Sequence, residues 1–144
     1  MRKNERALAA LRRLADCMPF NQHLGIRLLR VHPTGVTIEC PLRPELMNSA
    51  GVLHGGVTAT LADVAVGIAL TNHLGRLSPA TTVELKVNYL RPVAAGRIRA
   101  RAHLLRVGAR ICCGRVDLFN DARELVAAAL VTYMLSSKPG KRAV

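Results

Sequence analysis

Between Glu45 and Glu84 the chain carries one carboxylate, Asp63, set in a nearly unbroken apolar run: Gly55-Gly56-Val57-Thr58-Ala59-Thr60-Leu61-Ala62-Asp63-Val64-Ala65-Val66-Gly67-Ile68-Ala69-Leu70. Such a run has the composition of a helix buried on nearly every face. A carboxylate placed there is expensive unless hydrogen bonds or a chemical task hold it. Just upstream, Asn48-Ser49-Ala50-Gly51-Val52-Leu53-His54-Gly55-Gly56 forms a polar, glycine-rich entry to the helix. A lone acid on a buried helix, preceded by His-Gly-Gly, reads as an active site.

The elements that must position these residues follow from periodicity. From Asn4 to about Cys17 the residues Ala7, Leu8, Leu11, Leu14 and Ala15 recur at helical spacing opposite Arg6 and Arg13, and Pro19 ends that helix. Two strands are expected at about Gly25–Val31 and Val36–Leu42, joined by the turn His32-Pro33-Thr34-Gly35. Residues Arg43 to Leu53 read as a loop, and the buried helix runs from about Gly55 to His73 with Gly75 as its C-cap. After Pro79 the period becomes two. Thr82, Glu84, Lys86 and Asn88 alternate with Val83, Leu85, Val87 and Tyr89, and then Arg97, Arg99, Arg101 and His103 alternate with Ile98, Ala100, Ala102 and Leu104. Strands at about Arg110–Leu118 and Leu125–Leu135 follow, with short connections that predict an antiparallel meander. One long helix, apolar all round, requires a sheet that curls about it.

Length and composition bound the rest. With 144 residues, half of them hydrophobic, one globular domain over 1–144 is expected, with an N-terminal helix over 1–18 and a basic tail over 137–144. The apolar stretch Val57–Leu70 is short for a bilayer span, and no apolar signal core follows the charged N-terminus, so a soluble cytoplasmic protein with no membrane partner is the expectation. Cys17, Cys40, Cys112 and Cys113 lack metal-ligand spacing, which argues for reduced, packed thiols and against a zinc site. The net charge of +12 attracts any polyanion, but the few aromatics (Phe20, Tyr89, Phe119, Tyr133) form no stacking platform and no DNA-reading motif is present. A phosphorylated small molecule fits the charge as well as a nucleic acid does.

The element order together with Asn48-x5-His54-Gly55-Gly56-x6-Asp63 resembles the hotdog-fold thioesterases of the phenylacetic-acid-degradation (PaaI-like) type, over nearly the whole chain from Pro19-Phe20-Asn21 to Met134. Tyr89-Leu90-Arg91-Pro92 is similar to a segment recurrent in that family. The resemblance implies an α+β hotdog fold, an antiparallel sheet wrapped around one long central helix. It also implies hydrolysis of acyl-coenzyme A thioesters by homodimers or by homotetramers made of two dimers, with coenzyme A as part of the substrate and no separate cofactor. If Gly56 opens the helix, the N–H groups of Gly55 and Gly56 face out at its positive end and suit the oxyanion of an attacked thioester. Asp63 lies roughly 10–12 Å further on at 1.5 Å per residue, so antiparallel helices of two chains are needed to bring Asp63 of one to Gly55 of the other.

By the same resemblance Asp63 is the general base or the nucleophile, Gly55 the oxyanion donor, and His54 a positioning residue. Asn48 would orient water or the opposing carboxylate, or else hold a turn. Thr82 places a hydroxyl near the acid, with Thr81 its rival by one register step. Gly56, Val57, Thr60, Leu61, Val64, Met47 and Val52 would line the acyl pocket. Arg91 either grips coenzyme A phosphate or lies on the surface. Three other readings are open: a hydratase or dehydratase on the same fold, whose Asp-x-Asn-Pro-x-x-His motif is absent; a non-catalytic acyl-coenzyme A sensor; and charge-driven binding of nucleic acid.

Overall fold

A computed structural model describes residues 3–136. The basic tail over 137–144 lies outside the described residues. Helix α1 (Lys3–Cys17) packs Leu11 and Ala15 inward. Pro19, which ends it, also opens a second short helix, α2 (Pro19–Leu24), closed by Gly25 in the left-handed region. That helix was not foreseen, because six residues are too few to show a period. Strands β1 (Arg27–His32) and β2 (Gly35–Pro41) form a hairpin. Helix α3 (Gly55–Leu74) spans 20 residues and ends at Gly75, φ 65°. Strands β3 (Ala80–Tyr89), β4 (Arg97–Val107), β5 (Ile111–Phe119) and β6 (Leu125–Leu135) follow and complete the described residues.

The six strands among the described residues form one antiparallel sheet in the order β1-β2-β4-β5-β6-β3, and α3 packs against one face of it. The meander expectation holds for β4, β5 and β6 but not for β3, which crosses to the far edge and pairs with β6. The curl comes from register slips in β1, β3, β4 and β6, each of which bends a strand. Small residues line the sheet where α3 sits, among them Ala100, Ala102, Ala127 and Ala129. At Gly114 a Cβ would stand 2.7 Å from a Val66 methyl, so glycine sets how closely helix and sheet approach.

α3 is long and apolar enough to cross a membrane by length and composition, which corrects the shorter span read from the sequence. Its apolar surface is accounted for by the sheet: Leu61, Ala62, Ala65 and Val66 have no solvent exposure. Burial is not uniform, however. Gly56 is exposed, and Ala59, Thr60, Asp63, Val64 and Gly67 are half-buried. On the outer face of the sheet, Arg97 and Arg99 pair with Glu39, Arg99 also with Asp121, and Arg115 with Asp117. Exposed pairs of this kind contribute about 0–1 kcal/mol each.

Candidate active site

The entry to α3 is built by its cap. His54 is the N-cap residue, and its Nδ1 accepts the Gly56 N–H at 2.9 Å. The His54 carbonyl accepts the Val57 N–H at 2.9 Å. The Gly55 N–H has no acceptor among the described residues, so the expected pair of free donors reduces to one. The Tyr89 hydroxyl donates to the Gly55 carbonyl at 2.8 Å, and a Cβ on Gly55 would stand 3.3 Å from that ring. Asn48 ties the preceding loop, accepting the N–H groups of Ala50 (2.9 Å) and Val52 (3.3 Å) on its side-chain oxygen. That leaves its amide N–H groups for another partner.

Two turns along α3, the Thr82 hydroxyl donates to Asp63 Oδ1 at 2.8 Å. Strict alternation groups Thr82 with Glu84, Lys86 and Asn88. In the sheet Thr82 faces Tyr133 and Glu84 faces Thr132, with Val83 looped out between them. This β-bulge switches Thr82 to the helix side, where it meets the acid. Thr81 is exposed and pairs with Met134.

Tyr133, which the sequence reading did not single out, donates its hydroxyl to the Asp63 main-chain carbonyl at 3.0 Å. Burial, with the nearby Asp63 charge adding to it, pushes this phenol well above its ordinary range, so it remains a donor at any working pH. Its signal was faint: an inward position in the last strand, where a tyrosine needs a partner for its hydroxyl. Removing that hydroxyl by Tyr133→Phe is expected to cost about 1 kcal/mol of stability and to lower turnover several-fold as Asp63 loosens. Thermal melts and steady-state kinetics check both.

Asp63 and Val64 line a cavity of about 270 Å³ between α3 and the N-terminal helices, with Leu11, Leu14 and Phe20 on its opposite wall. Asn48, Val52, Gly55 and Arg91 lie together in a second cleft of about 390 Å³, against Tyr89 and Val93. Met47 sits in a third recess beside Leu42 and Pro44. Leu61 is wholly buried on the sheet side, and Val57, Thr60 and Gly56 line neither of the first two cavities. Each chain therefore holds an acid half and a donor half about 12 Å apart along one helix.

A rolled antiparallel sheet around a single helix, with an acid on that helix open to an apolar cavity, is the hotdog architecture in a form suited to acyl transfer to water. Residues 50–127 match the thioesterase superfamily, and the chain belongs to that family of thioester hydrolases. It is 35% identical over 133 residues to the medium/long-chain acyl-CoA thioesterase YigI of Escherichia coli K12, covering 82% of this chain and 86% of that one. Human acyl-coenzyme A thioesterase 13 is 35% identical over 121 residues, with 82% and 86% covered. Among solved structures, a thioesterase of Haemophilus influenzae superposes with a TM-score of 0.84 at 25% identity over 94% of each chain. A mutant of the phenylacetic acid degradation protein PaaI of Thermus thermophilus gives 0.73 at 29% identity, over 81% of this chain and 98% of that one.

Proposed function

We propose that the chain hydrolyses acyl-coenzyme A thioesters to a free carboxylic acid and coenzyme A, at a site shared by two copies. The observation that carries this reading is the Asp63–Thr82 hydrogen bond at the edge of an apolar cavity. Thr82 occupies one carboxylate oxygen and leaves the other for the reaction. Asp63 either takes a proton from water as the water oxygen attacks the acyl carbon, or attacks that carbon itself to form an anhydride that water then opens. In both routes the carbon–sulfur bond breaks and the sulfur leaves with a proton as the coenzyme A thiol. The N–H of Gly55 of the partner subunit donates to the carbonyl oxygen as it gains charge, and the Asn48 amide of that copy orients the attacking group.

Two features support the dimer. β3 is a ten-residue edge strand whose helix-side residues Leu85 (37%) and Tyr89 (56%) are exposed, as is Val83 (51%) in its bulge, and a second copy paired along β3 would cover them. Gly56, Ala59, Thr60 and Asp63 form a half-open stripe of small residues on α3, allowing close approach of a second α3. Outward-facing Ile111 and Leu130 offer a surface for stacking two dimers into a tetramer. Four free thiols fit work in the cytoplasm.

A panel of acyl-coenzyme A substrates with detection of the freed thiol tests the reading; hydrolysis of none of them at micromolar enzyme would overturn it. Arg91 is exposed and donates one N–H to the Leu125 carbonyl at 3.0 Å, which leaves the rest of its guanidinium for phosphate. Exposed charge pairs contribute about 0–1 kcal/mol. Arg91→Ala should therefore raise KM several-fold with little change in kcat, the pattern of lost uniform binding. The effect should shrink on a short pantetheine thioester that lacks the nucleotide. An equal penalty on both substrates would mean that Arg91 acts through structure.

A further inference from the structure

We infer that the cavity between α1 and α3 is an acyl gallery with a built-in length scale, in which Gly67 and Thr71, on successive turns of α3 behind Asp63, set how many carbons the site accepts. This rests on the thioesterase reading for its head group and deepens it by naming the substrate class. Asp63, Gly67, Thr71 and Leu74 all line the cavity and recur at three- and four-residue spacing, so they form one face of the helix. Leu11 and Leu14 of α1 supply the opposite wall. The carboxylate stands at one end of this face. Several polar groups elsewhere in the lining are engaged within the protein: the Thr71 hydroxyl donates to the Gly67 carbonyl at 3.0 Å, the buried Asn21 amide to the Ala15 carbonyl at 2.8 Å and the Tyr133 hydroxyl to the Asp63 carbonyl at 3.0 Å, while Ser78 adds a hydroxyl beside Leu77. The rest of the lining is apolar, a surface suited to methylenes.

Gly67 is the residue that the helix alone does not explain. A glycine in mid-helix weakens it relative to alanine. A Cβ at this position would stand 3.2 Å from the Tyr133 hydroxyl, in the space one turn behind the acid. Glycine there makes room for the Tyr133 hydroxyl, and because Gly67 also lines the cavity beside Asp63, a larger side chain at this turn either displaces Tyr133 or fills cavity space.

Two estimates bracket its capacity. From Asp63 to Leu74 the helix rises about 16 Å. An extended chain advances roughly 1.2 Å per single bond, a third of its span per residue, so about thirteen bonds fit. The volume of 270 Å³ matches about nine groups of water size at about 30 Å³ each, and a methylene is about that large. The gallery thus suits acyl chains of about 8–12 carbons, and each helical turn of about 5.4 Å corresponds to four or five carbons.

The test uses the whole chain and non-hydrolysable thioether analogues carrying butyl, octyl and dodecyl groups on coenzyme A, with binding read by calorimetry and turnover read on the matching thioesters. For the unaltered protein, affinity should climb by up to about four-fold per methylene and level off near ten carbons. Gly67→Val should erase the gain from four to eight carbons, a loss of about ten-fold or more on octyl relative to butyl. Thr71→Phe should keep that gain and erase the one from eight to twelve. Each readout is a ratio within one variant, and Thr71→Phe, at a half-buried position, carries the test if Gly67→Val does not fold. The gallery is overturned if both variants shift all three lengths by the same factor, or if neither changes the ratios. The two readings fail separately: a protein that binds with this length dependence but hydrolyses nothing is no thioesterase yet keeps the gallery. One that hydrolyses every length equally is a thioesterase without it.

Discussion

Replacing Asp63 with Asn will lower kcat for thioester hydrolysis by about 10²–10⁴-fold, the usual contribution of a positioned base. The amide has the size of the carboxylate but neither takes a proton from water nor attacks the acyl carbon. The fold will survive, because Asp63 is only half-buried and the Tyr133 hydroxyl holds its main-chain carbonyl rather than its side chain. Thermal melts will therefore stay close to those of the unaltered protein while turnover collapses, and KM will move little. Purified Asp63→Asn that still turns over at the original rate would remove Asp63 from the chemistry. A single turnover in ¹⁸O-water then tests the covalent route: label in Asp63 marks attack by the carboxylate followed by opening of the anhydride at the Asp63 carbonyl.

Mixing two inactive chains will restore activity. A chain with Asp63→Ala lacks the acid half, and a chain with Gly55→Val lacks the donor half, since any Cβ at Gly55 already meets the Tyr89 ring. In a heterodimer of the two, one site draws Asp63 and Gly55 from the intact halves and the other draws both defects. Random exchange makes half of the dimers heterodimers, so the mixture should reach about a quarter of the unaltered specific activity. The measurement is the rate of thiol release after subunit exchange, with exchange shown by mass spectrometry of differently tagged chains. Exchange without any recovery would place each site within one chain.

The bounds of α3 were legible within a residue or two, because its apolar run begins at Gly55-Gly56 and stops at Gly75, and glycine is strongly marked at a helix end. The four strands after Pro79 were legible from their period of two. Where β3 lies was not. Its sequence says that one face is more apolar than the other, but which neighbour it pairs with depends on which edge of the sheet is free once β4, β5 and β6 have paired in order. The resemblance put the Thr82 hydroxyl near the acid, where it lies, but periodicity alone could not: one looped-out residue, Val83, inverts the face of everything before it, and a bulge leaves no mark on composition. The six-residue α2 gave no periodic signal, so the wall it adds near Phe20 and Asn21 was invisible.

The candidate site divides along the same line. That Asp63 is an unusual acid, that His54-Gly55-Gly56 opens its helix, and that eight residues of helix keep the two apart are properties of order and spacing, which local geometry translates directly into distance. The Thr82–Asp63 hydrogen bond, the Tyr133 hydroxyl on the Asp63 carbonyl, and the gallery running past Gly67 join residues 19 to 70 positions apart, or a helix to a wall from the other end of the chain. Such contacts are decided by how the sheet closes around α3, through close packing among side chains that no short stretch of sequence contains.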